Sequence, residues 1–308
     1  MKILGIGNAI VDVLCKVTDD FLIENSLTKS TMKLVDEKEF KKLLSKLKIE
    51  KTMSGGSIAN SMVGLSQLGN DVGFIGKVAN DKFGQEYQDG LLKENVQYLY
   101  NKKNETTATG ACLILITPDS ERTMCTFLGI AGKINQDDID EKNIKNSNLV
   151  FLEGYLWDQG EPKKAFEKAI LSSKRTAMSL SDLFCVERHK KNFLDLVKNK
   201  LNIIFANEQE IVSLIDAKSF EEVTSFCKQT GKNFIITRGD KGAISIFKNE
   251  IVECDAFKNL KVIDLTGAGD LFAAGYLHGM VNNLSTINCL KKGTEMSAKI
   301  IQKIGARL

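Results

Sequence analysis

Short apolar segments alternate with amphipathic segments through the second half of the chain, and this rhythm constrains the fold more than any other feature. The apolar segments have the length of buried strands, and those that follow carry apolar residues at helical spacing. Strands that alternate with helices form a parallel sheet with helices on both faces. We therefore predict a three-layer α/β fold, with strand–helix pairs at 149–152 and 163–172, 176–180 and 190–198, and 202–205 and 208–215. The other predicted helices are 36–49, 57–68, 82–94, 220–230, 268–281 and 286–304, and the other predicted core strands are 2–6, 72–75, 234–237 and 261–263, with a hairpin over 243–254.

The first half of the chain also contains segments of a different kind. Residues 11–17, 110–117 and 122–128 alternate partly between apolar and polar side chains, as strands with one exposed face do. Turn-forming residues at 118–121 predict a hairpin between the last two. We expect these strands and residues 30–35 to form a small separate sheet, a lid. The predicted boundaries are 11–35 and 110–128 for the lid, and 1–10, 36–109 and 129–308 for the core.

The composition excludes several classes of protein. Charged residues make up 26% and hydrophobic residues 43% of the 308 residues, as in ordinary globular chains. No apolar run reaches the roughly 18 residues that a membrane-spanning helix needs. Asp12 interrupts the apolar start, which otherwise resembles a signal peptide. The 42 basic and 39 acidic side chains nearly balance, so we do not expect a dedicated nucleic-acid binder.

The cysteines and histidines indicate a reducing compartment and no zinc. The seven cysteines are odd in number and lack a C-x-x-C pair, which is typical of reduced, buried thiols. His189 and His278 lack the spacing of metal ligands. We expect a cytoplasmic protein that binds neither a nucleic acid nor a membrane.

The strongest local motif is DLTGAGD at 264–270, within which the predicted long helix over 268–281 begins. Gly267 and Gly269 let backbone amides approach a ligand closely. The free N–H groups and the dipole of the helix point at the same place, so the motif predicts an anion site. Asp270 is then placed to take a proton from an attacking hydroxyl. The alternative is an ordinary glycine turn with an aspartate that caps the helix.

Two further polar groups are candidates for binding an acceptor. Gly55 and Gly56 also precede a predicted helix, and Asn60 lies one turn inside it, where its amide can bind sugar hydroxyls. Asn8 and Asp12 follow the first strand, at the end of a parallel sheet where ligands usually bind. The alternatives are a helix cap with a surface asparagine, and a turn aspartate.

Asn207 and Glu210 lie three residues apart at the start of another predicted helix. An amide and a carboxylate there suit Mg²⁺ bound through water near phosphates. Plain capping of the helix is the alternative.

One motif indicates a different class of protein. Gly5 and Gly7 follow a strand, as in dinucleotide-binding oxidoreductases. However, Ile10 occupies the third glycine position and a strand follows, which disfavours that class. The G-x-x-x-x-G-K-[ST] motif of P-loop enzymes does not occur in the sequence.

Together, the three ligand motifs resemble those of the ribokinase-like, or PfkB, family of ATP-dependent carbohydrate and nucleoside kinases. The resemblance extends over essentially the whole chain, with Gly55-Gly56 and Asn60 early, Asn207 and Glu210 mid-chain, and 264–270 late. Leu265 departs from the threonine that is usual in the family. The resemblance implies a ribokinase-like core with a small β-sheet lid, and a lid sheet that pairs in a homodimer or stays single in a monomer.

The resemblance also implies a role for each site residue. Asp270 is the catalytic base, the amides of Gly267, Ala268 and Gly269 stabilise the transferring phosphoryl group, and the acceptor is bound by Asn8, Asp12, Gly55, Gly56 and Asn60. ATP binds near Asn207, Thr237 and Gly239, and Mg²⁺ near Glu210 through water. K⁺ or another monovalent cation is placed by Asp264, Thr266 and the carbonyls near Lys303 and Gly305. Arg122, on the lid, either reaches the phosphates or forms a surface salt bridge.

Several short sequence segments resemble those of the adenosine-kinase-like branch of the family, namely 121–124 with 128–129, 153–158 and 181–184. We therefore expect adenosine to be phosphorylated at its 5′-hydroxyl, with its base covered by apolar lid residues such as Leu14, Leu113 or Phe127. A kinase of ribose- or fructose-type sugars is the alternative. A non-catalytic sugar or nucleoside sensor is a further alternative, although the presence of Asp270 favours an enzyme.

Overall fold

The computed structural model describes residues 1–103, 105–119, 121–157 and 160–308. Two residues named in the predictions, Ser120 of the turn at 118–121 and Asp158 of the segment at 153–158, lie outside these ranges. The described chain forms a nine-stranded sheet and a separate five-stranded sheet.

The secondary structure elements follow one another closely along the chain. The strands are β1 (Ile3–Ile6), β2 (Ile10–Lys16), β3 (Met32–Leu34), β4 (Ile49–Ser54), β5 (Val72–Ile75), β6 (Gln97–Tyr98), β7 (Gly110–Ile116), β8 (Arg122–Phe127), β9 (Leu149–Glu153), β10 (Thr176–Ser179), β11 (Ile203–Asn207), β12 (Asn233–Thr237), β13 (Ala243–Phe247) and β14 (Glu250–Cys254). The helices are α1 (Asp19–Glu24), α2 (Glu37–Leu44), α3 (Ser57–Gln67), α4 (Lys82–Lys93), α5 (Glu141–Lys145), α6 (Glu161–Ser172), α7 (Leu183–Asp195), α8 (Glu208–Ile215), α9 (Phe220–Thr230), α10 (Ala268–Val281) and α11 (Thr286–Ile300).

The nine-stranded sheet has the order β14-β13-β12-β11-β10-β9-β1-β5-β6. Its pairs are parallel from β12 to β6, and β13 and β14 extend it as an antiparallel edge. Alternate residues of its strands enter two apolar cores, one on each face, so that Ile3 and Leu4 of β1 belong to different cores. The predicted three-layer arrangement is confirmed.

The five-stranded sheet has the order β3-β8-β7-β2-β4. One face carries Val11, Val13 and Cys15, which pack in a core with Phe40 and Leu43 of α2. The predicted separate small sheet is therefore present, but it gains a strand that was not predicted. The helix predicted over 36–49 ends at Leu44, and β4 follows as an edge strand paired with β2. The predicted domain boundaries stay a prediction.

Two further predicted elements differ from the structure. Residues 261–263 are not a strand, because the amides of Ile263 and Asp264 donate to the carbonyl of Ile301 and leave the segment outside the sheet. The helix predicted over 190–198 begins earlier, at Leu183, because the Asp182 carboxylate accepts from the amide of Cys185 at 2.6 Å and caps it. The anion-site motif at 264–270 consequently follows a loop and not a strand.

A cluster of charged side chains joins the segments that lead into and out of the β7–β8 hairpin. The ammonium of Lys77, which is 4% exposed, lies 3.0 Å from Glu105 and 3.1 Å from Asp138. Lys103 approaches the other oxygen of Asp138 at 2.6 Å. Glu105 precedes β7 and Asp138 follows β8, so the cluster fixes both connections to the core that carries Lys77.

The cysteines are unpaired thiols, half-buried at Cys254 and buried elsewhere, as predicted. Among the described residues, no helix is long and apolar enough to cross a membrane.

Candidate active site

The motif at 264–270, which the sequence predicts to bind an anion, lies at the start of α10. Gly267 caps the helix with φ +77°, a left-handed conformation that favours glycine. A Cβ at this position would lie 2.7 Å from the Cα of Ala306, so the site also has no room for a side chain. The amides of the first helical turn lack partners within the helix and present partial positive charge.

Asp270 lies in this first turn and is held by residues of α3. Its Oδ1 accepts from the Ser57 hydroxyl at 2.6 Å, and its Oδ2 accepts from the Asn60 amide at 3.0 Å. Ser61 donates to the backbone carbonyl of Asp270 at 2.9 Å. Two predicted residues, Asp270 and Asn60, are therefore in direct contact, with the carboxylate oriented from two sides.

Asn8 is positioned by Glu153, a residue that was not predicted as part of the site. Glu153 is the last residue of β9 and is only 1% exposed. Its Oε1 accepts from the side-chain amide of Asn8 at 2.9 Å, and its Oε2 accepts from the backbone amide of Ile58 at 3.2 Å. The carboxylate thus connects the end of β1 to the start of α3.

Gly55 and Gly56 are required because two neighbouring groups lie against their backbone. A Cβ on Gly55 would lie 2.4 Å from the Asp12 carboxylate, and one on Gly56 would lie 2.3 Å from the Asn8 carbonyl. Gly56 also has φ +97°. The five predicted acceptor-binding residues thus surround one region beside Asp270.

Three carboxyl groups share this region, and burial raises the pKa of each. The pKa is about 7 for Asp12, about 7 for Glu153 and about 6 for Asp270. The guanidinium of Arg307 opposes the shift at Asp12 and Asp270, and hydrogen bonds from Ile58 and Asn8 oppose it at Glu153. A base with a pKa near 6 is ionised at neutral pH and still accepts a proton readily.

Two adjoining clefts open at the start of α10. The first, of about 270 Å³, contains Asp270 and runs along the ends of β10, β11 and β12. The second, of about 750 Å³, continues it past Thr237 and Gly239 toward α11. The predicted residues that line the first cleft are Asn207, Glu210, Thr237, Gly267, Ala268, Gly269 and Asp270.

Asn207 and Glu210 form the capping box that was the alternative to metal binding. The Asn207 Oδ1 accepts from the amide of Glu210 at 2.8 Å, and the Glu210 carboxylate accepts from the Asn207 backbone amide at 3.0 Å. Burial raises the pKa of Glu210 to about 7. The described residues contain no group of three or more histidines, cysteines or acids that could hold a metal. A role near Mg²⁺ stays a prediction and requires ligands from water and phosphate.

Arg122 joins the five-stranded sheet to the anion-site motif. Its Nη1 lies 2.7 Å from Asp264, both side chains being largely buried. Asp264 also accepts from the Thr266 hydroxyl at 2.7 Å and from the Gly305 amide at 2.7 Å. These residues of the predicted cation site are thus adjacent, while Lys303 is exposed. Because Arg122 already neutralises Asp264, a cation there would compete with the guanidinium.

The face of the five-stranded sheet that carries Asp12 also carries Arg122 and an apolar group. By register, Asp12 lies opposite Cys112, and Leu14 lies opposite Ile114. The expectation that Leu113 and Phe127 cover a base is wrong, because both side chains pack on the other face, where Phe127 contacts Phe40. Leu14 does lie on the Asp12 face. The apolar group consists of Ile10, Leu14, Cys112, Ile114, Ile116, Met124 and Ala131.

Three residues of the site were not predicted from the sequence, namely Glu153, Ser57 and Arg307. Each of them contacts the site through a residue that is distant along the chain. Arg307, for example, donates to Asn60 at 3.1 Å. The one signal in the sequence was the scarcity of arginine in a lysine-rich chain.

Gly56→Ala is expected to raise the KM for the acceptor and to lower the free energy of unfolding. The substitution adds left-handed backbone strain of about 1–2 kcal/mol and a collision with the Asn8 carbonyl. Gly69→Ala is the matched control, because Gly69 has φ +80° and a Cβ added there would meet no other atom within 4 Å. Urea unfolding gives the free energy of unfolding of both variants, and acceptor kinetics give their KM. Because both variants carry backbone strain but only Gly56→Ala also carries the collision, the difference between them measures the effect of the collision. Equal effects of the two substitutions would contradict a role for the close approach.

The fold and the site define a class of protein, the phosphotransferases that act on hydroxyl groups of small molecules. The chain belongs to the pfkB family of carbohydrate kinases, which residues 29–308 match. The predicted family and the ribokinase-like fold are confirmed. The family implies the use of ATP and usually of Mg²⁺.

Individual relatives carry different names. The crystal structure of adenosine kinase from Sinorhizobium meliloti is 33% identical, covers 100% of this chain and 95% of that chain, and has a TM-score of 0.90. A probable sugar kinase from Rhizobium etli is 34% identical, covers 99% of this chain and 94% of that chain, and has a TM-score of 0.89. A 5-dehydro-2-deoxygluconokinase from Clostridium perfringens is 27% identical over 80% of this chain and 78% of its own length. The comparisons therefore establish the family, but the names of the relatives do not agree on one substrate.

Proposed function

We propose that this protein transfers the γ-phosphoryl group of ATP to the 5′-hydroxyl of adenosine or a closely similar nucleoside. The observation that carries the proposal is the placement of Asp270. Its carboxylate is held by Ser57 and Asn60 at the amide end of α10, where two clefts meet. An acid beside an anion site serves a reaction in which a hydroxyl loses a proton to attack a phosphorus.

The residues of the chain divide the chemical work between them. Asp270 takes the proton of the attacking hydroxyl, and the Asn60 and Ser57 donors keep the carboxylate oriented toward the acceptor. Amides at Gly267, Ala268 and Gly269 stabilise negative charge on the transferring group. The acceptor hydroxyls are bound by Asn8, Asp12, Gly55, Gly56 and Asn60. Bound ATP supplies the phosphoryl group.

The clefts fit a nucleotide and a phosphate-bound metal. The first cleft offers helix amides for phosphates, and the second has apolar lining from Phe257, Val262 and Leu265 for a base. Thr237 lines both clefts, whereas Asn207 lines the first cleft and Gly239 the second. Glu210 retains free lone pairs on its oxygens for a water molecule of Mg²⁺.

The apolar group beside Asp12 favours a nucleoside over a free sugar. A ribose needs the polar groups of Asn8, Asp12 and Asn60 alone, whereas a nucleoside also presents an apolar base. Leu14, Ile114 and Met124 lie on the same sheet face as Asp12 and offer a surface for that base. The likeness to an adenosine kinase at 33% identity supports the same choice.

A panel of acceptors coupled to ADP release tests the substrate. We expect kcat/KM for adenosine to exceed that for inosine, ribose and fructose, because specificity depends on transition-state binding. A Leu14→Ala variant should lose more kcat/KM with adenosine than with ribose, since it removes apolar surface that only a base contacts. A sugar that exceeds adenosine in kcat/KM would overturn the nucleoside proposal and leave the kinase proposal intact.

The second candidate acceptor is a sugar or sugar acid. The likeness to the 5-dehydro-2-deoxygluconokinase favours it, and Arg122 and Arg307 provide positive charge near Asp12. A sensor without catalysis would bind acceptor and ATP but release no ADP. A monovalent cation at Asp264, Thr266, Lys303 and Gly305, a cytoplasmic location and a monomeric or homodimeric state stay predictions.

A further inference from the structure

Arg307 contacts the candidate active site from the segment that follows α11. Its Nε donates to the Asn60 Oδ1 at 3.1 Å, and its Nη1 donates to the Ser54 hydroxyl at 2.8 Å. Both partners are neutral and buried. The guanidinium therefore links α3 to the last residue of β4, and it bonds directly to one site residue, Asn60.

The Asn60 amide is fixed in one orientation by this contact. Its oxygen faces Arg307 and its nitrogen faces the Asp270 carboxylate, at 3.1 Å and 3.0 Å. A flipped amide would place its nitrogen against a guanidinium donor and its oxygen against a carboxylate, so both contacts would become repulsive. Without Arg307, only the contact with Asp270 would select the orientation.

Stability alone does not account for the placement of Arg307. Its Nη2 is buried and has no hydrogen-bond partner among the described residues. Leaving a buried donor unpaired is destabilising, and burial also lowers the pKa of the guanidinium. The charge does act on the site, because it opposes the burial-induced rise in the pKa of Asp270.

We propose that Arg307 is a positioning residue of the phosphoryl-transfer site, which acts through the Asn60 amide to hold Asp270 oriented and ionised. The proposal rests on the proposed kinase function. Arg307 fixes Asn60, and Asn60 fixes the carboxylate that accepts the proton of the acceptor hydroxyl. The titratable groups that interact electrostatically with Asp270 are Asp12 on β2, Glu153 at the end of β9, Arg307, and Tyr155 after β9, which stays neutral because burial raises its pKa.

A double-mutant cycle tests whether Arg307 acts through Asn60. We expect Arg307→Gln and Asn60→Ala each to lower kcat/KM by about 10²-fold, as small misplacements of reacting groups do. The double variant should lose little more than either single variant, because both changes break the same connection. Independent effects that multiply to about 10⁴-fold would overturn the proposal. Arg175→Gln, at an exposed arginine before β10, is the control and should retain wild-type kinetics.

A carboxyl-carbon NMR titration tests the same proposal without relying on turnover. The Asp270 signal is assigned by its loss in Asp270→Asn, and its pKa should rise by about one unit in Arg307→Gln, since a nearby positive charge is lost. Arg307→Lys should keep most of the charge effect but not the kcat/KM, because lysine cannot contact Asn60 and Ser54 as a fork does. An unchanged Asp270 pKa in Arg307→Gln would overturn the proposal. A wild-type protein that transfers no phosphoryl group would overturn the proposed function. The titration would still show whether Arg307 lowers the pKa of Asp270.

Discussion

Asp270→Asn is expected to lower kcat by about 10²- to 10⁴-fold and to leave ATP binding nearly unchanged. The asparagine removes the proposed general base, which is the carboxylate that would accept the proton of the attacking hydroxyl. It keeps the anion site, because the amides of Gly267, Ala268 and Gly269 belong to the backbone. Coupled assays of ADP release give kcat, and calorimetric titration with a non-hydrolysable ATP analogue gives the affinity. A fall of less than tenfold would show that Asp270 is not the base.

The fold of this variant should be retained. In the wild type, Asp270 accepts from both Ser57 and Asn60. Asparagine can still accept from Asn60 through its oxygen and can donate to Ser57, since a hydroxyl serves as donor or acceptor. An unchanged thermal midpoint therefore accompanies the lost rate, which separates chemistry from folding.

The same variant identifies the acidic limb of the pH profile. Burial raises the pKa of Asp270 to about 6, so wild-type kcat/KM should fall as the pH drops through that value and the base becomes protonated. Asp12 and Glu153, each with a pKa raised by burial to about 7, add their own dependence on pH. In Asp270→Asn the limb near pH 6 should disappear, whereas the contribution of Asp12 and Glu153 should stay.

Lys77→Met is expected to lower the free energy of unfolding by about 3–5 kcal/mol, which is typical of a buried ion pair that loses one partner. Lys77 lies between Glu105 and Asp138, and the Asp138 side chain is fully buried. Methionine fills a similar volume but leaves Glu105 without this cation and Asp138 with Lys103 alone. Urea unfolding monitored by circular dichroism measures the loss.

Lys103→Met is the matched control for this prediction. Lys103 contacts the same carboxylate at 2.6 Å, but its side chain is 48% exposed. Exposed ion pairs contribute roughly 0–1 kcal/mol, so the control should lose far less stability. Equal losses in the two variants would show that burial of Lys77 does not determine the strength of the cluster.

The parts of the site that depend on local sequence could be predicted. Asp270 and the start of α10 follow from two glycines before a long helical pattern, and this information lies within seven residues. The same holds for Asn207 and Glu210, which are three residues apart and bond to each other. Local backbone chemistry determines such features, whatever the rest of the chain does.

Glu153 and Arg307 could not be predicted because their partners are distant in the sequence. Glu153 reaches Asn8 across 145 positions, and Arg307 reaches Asn60 across 247. The first contact exists because β1 lies between β9 and β5 in the sheet. Periodicity predicts that a segment is a strand, but it does not specify the neighbour of that strand.

The sequence predicts which side chains of a strand share a face, but it does not predict which of the two faces of the sheet they occupy. Alternation in β7 and β8 separates Leu113 from Ile114 and Phe127 from Met124, but it does not say which set meets a helix. Packing against Phe40 of α2 determines the choice. Strand β4 was missed because Ile49–Ser54 combines charged and apolar residues that also suit the end of a helix.

The chain passes between its two sheets through short segments that carry the predicted acceptor-binding residues. Asn8 lies between β1 and β2, and Gly55 and Gly56 lie between β4 and α3. A rotation of the five-stranded sheet against the nine-stranded sheet would change torsion angles in these connecting segments. An acceptor that favours one torsional state shifts the equilibrium between sheet orientations, and the orientation shifts the affinity for the acceptor by the same factor. Acceptor binding at these segments and a rotation of the two sheets would therefore be thermodynamically reciprocal.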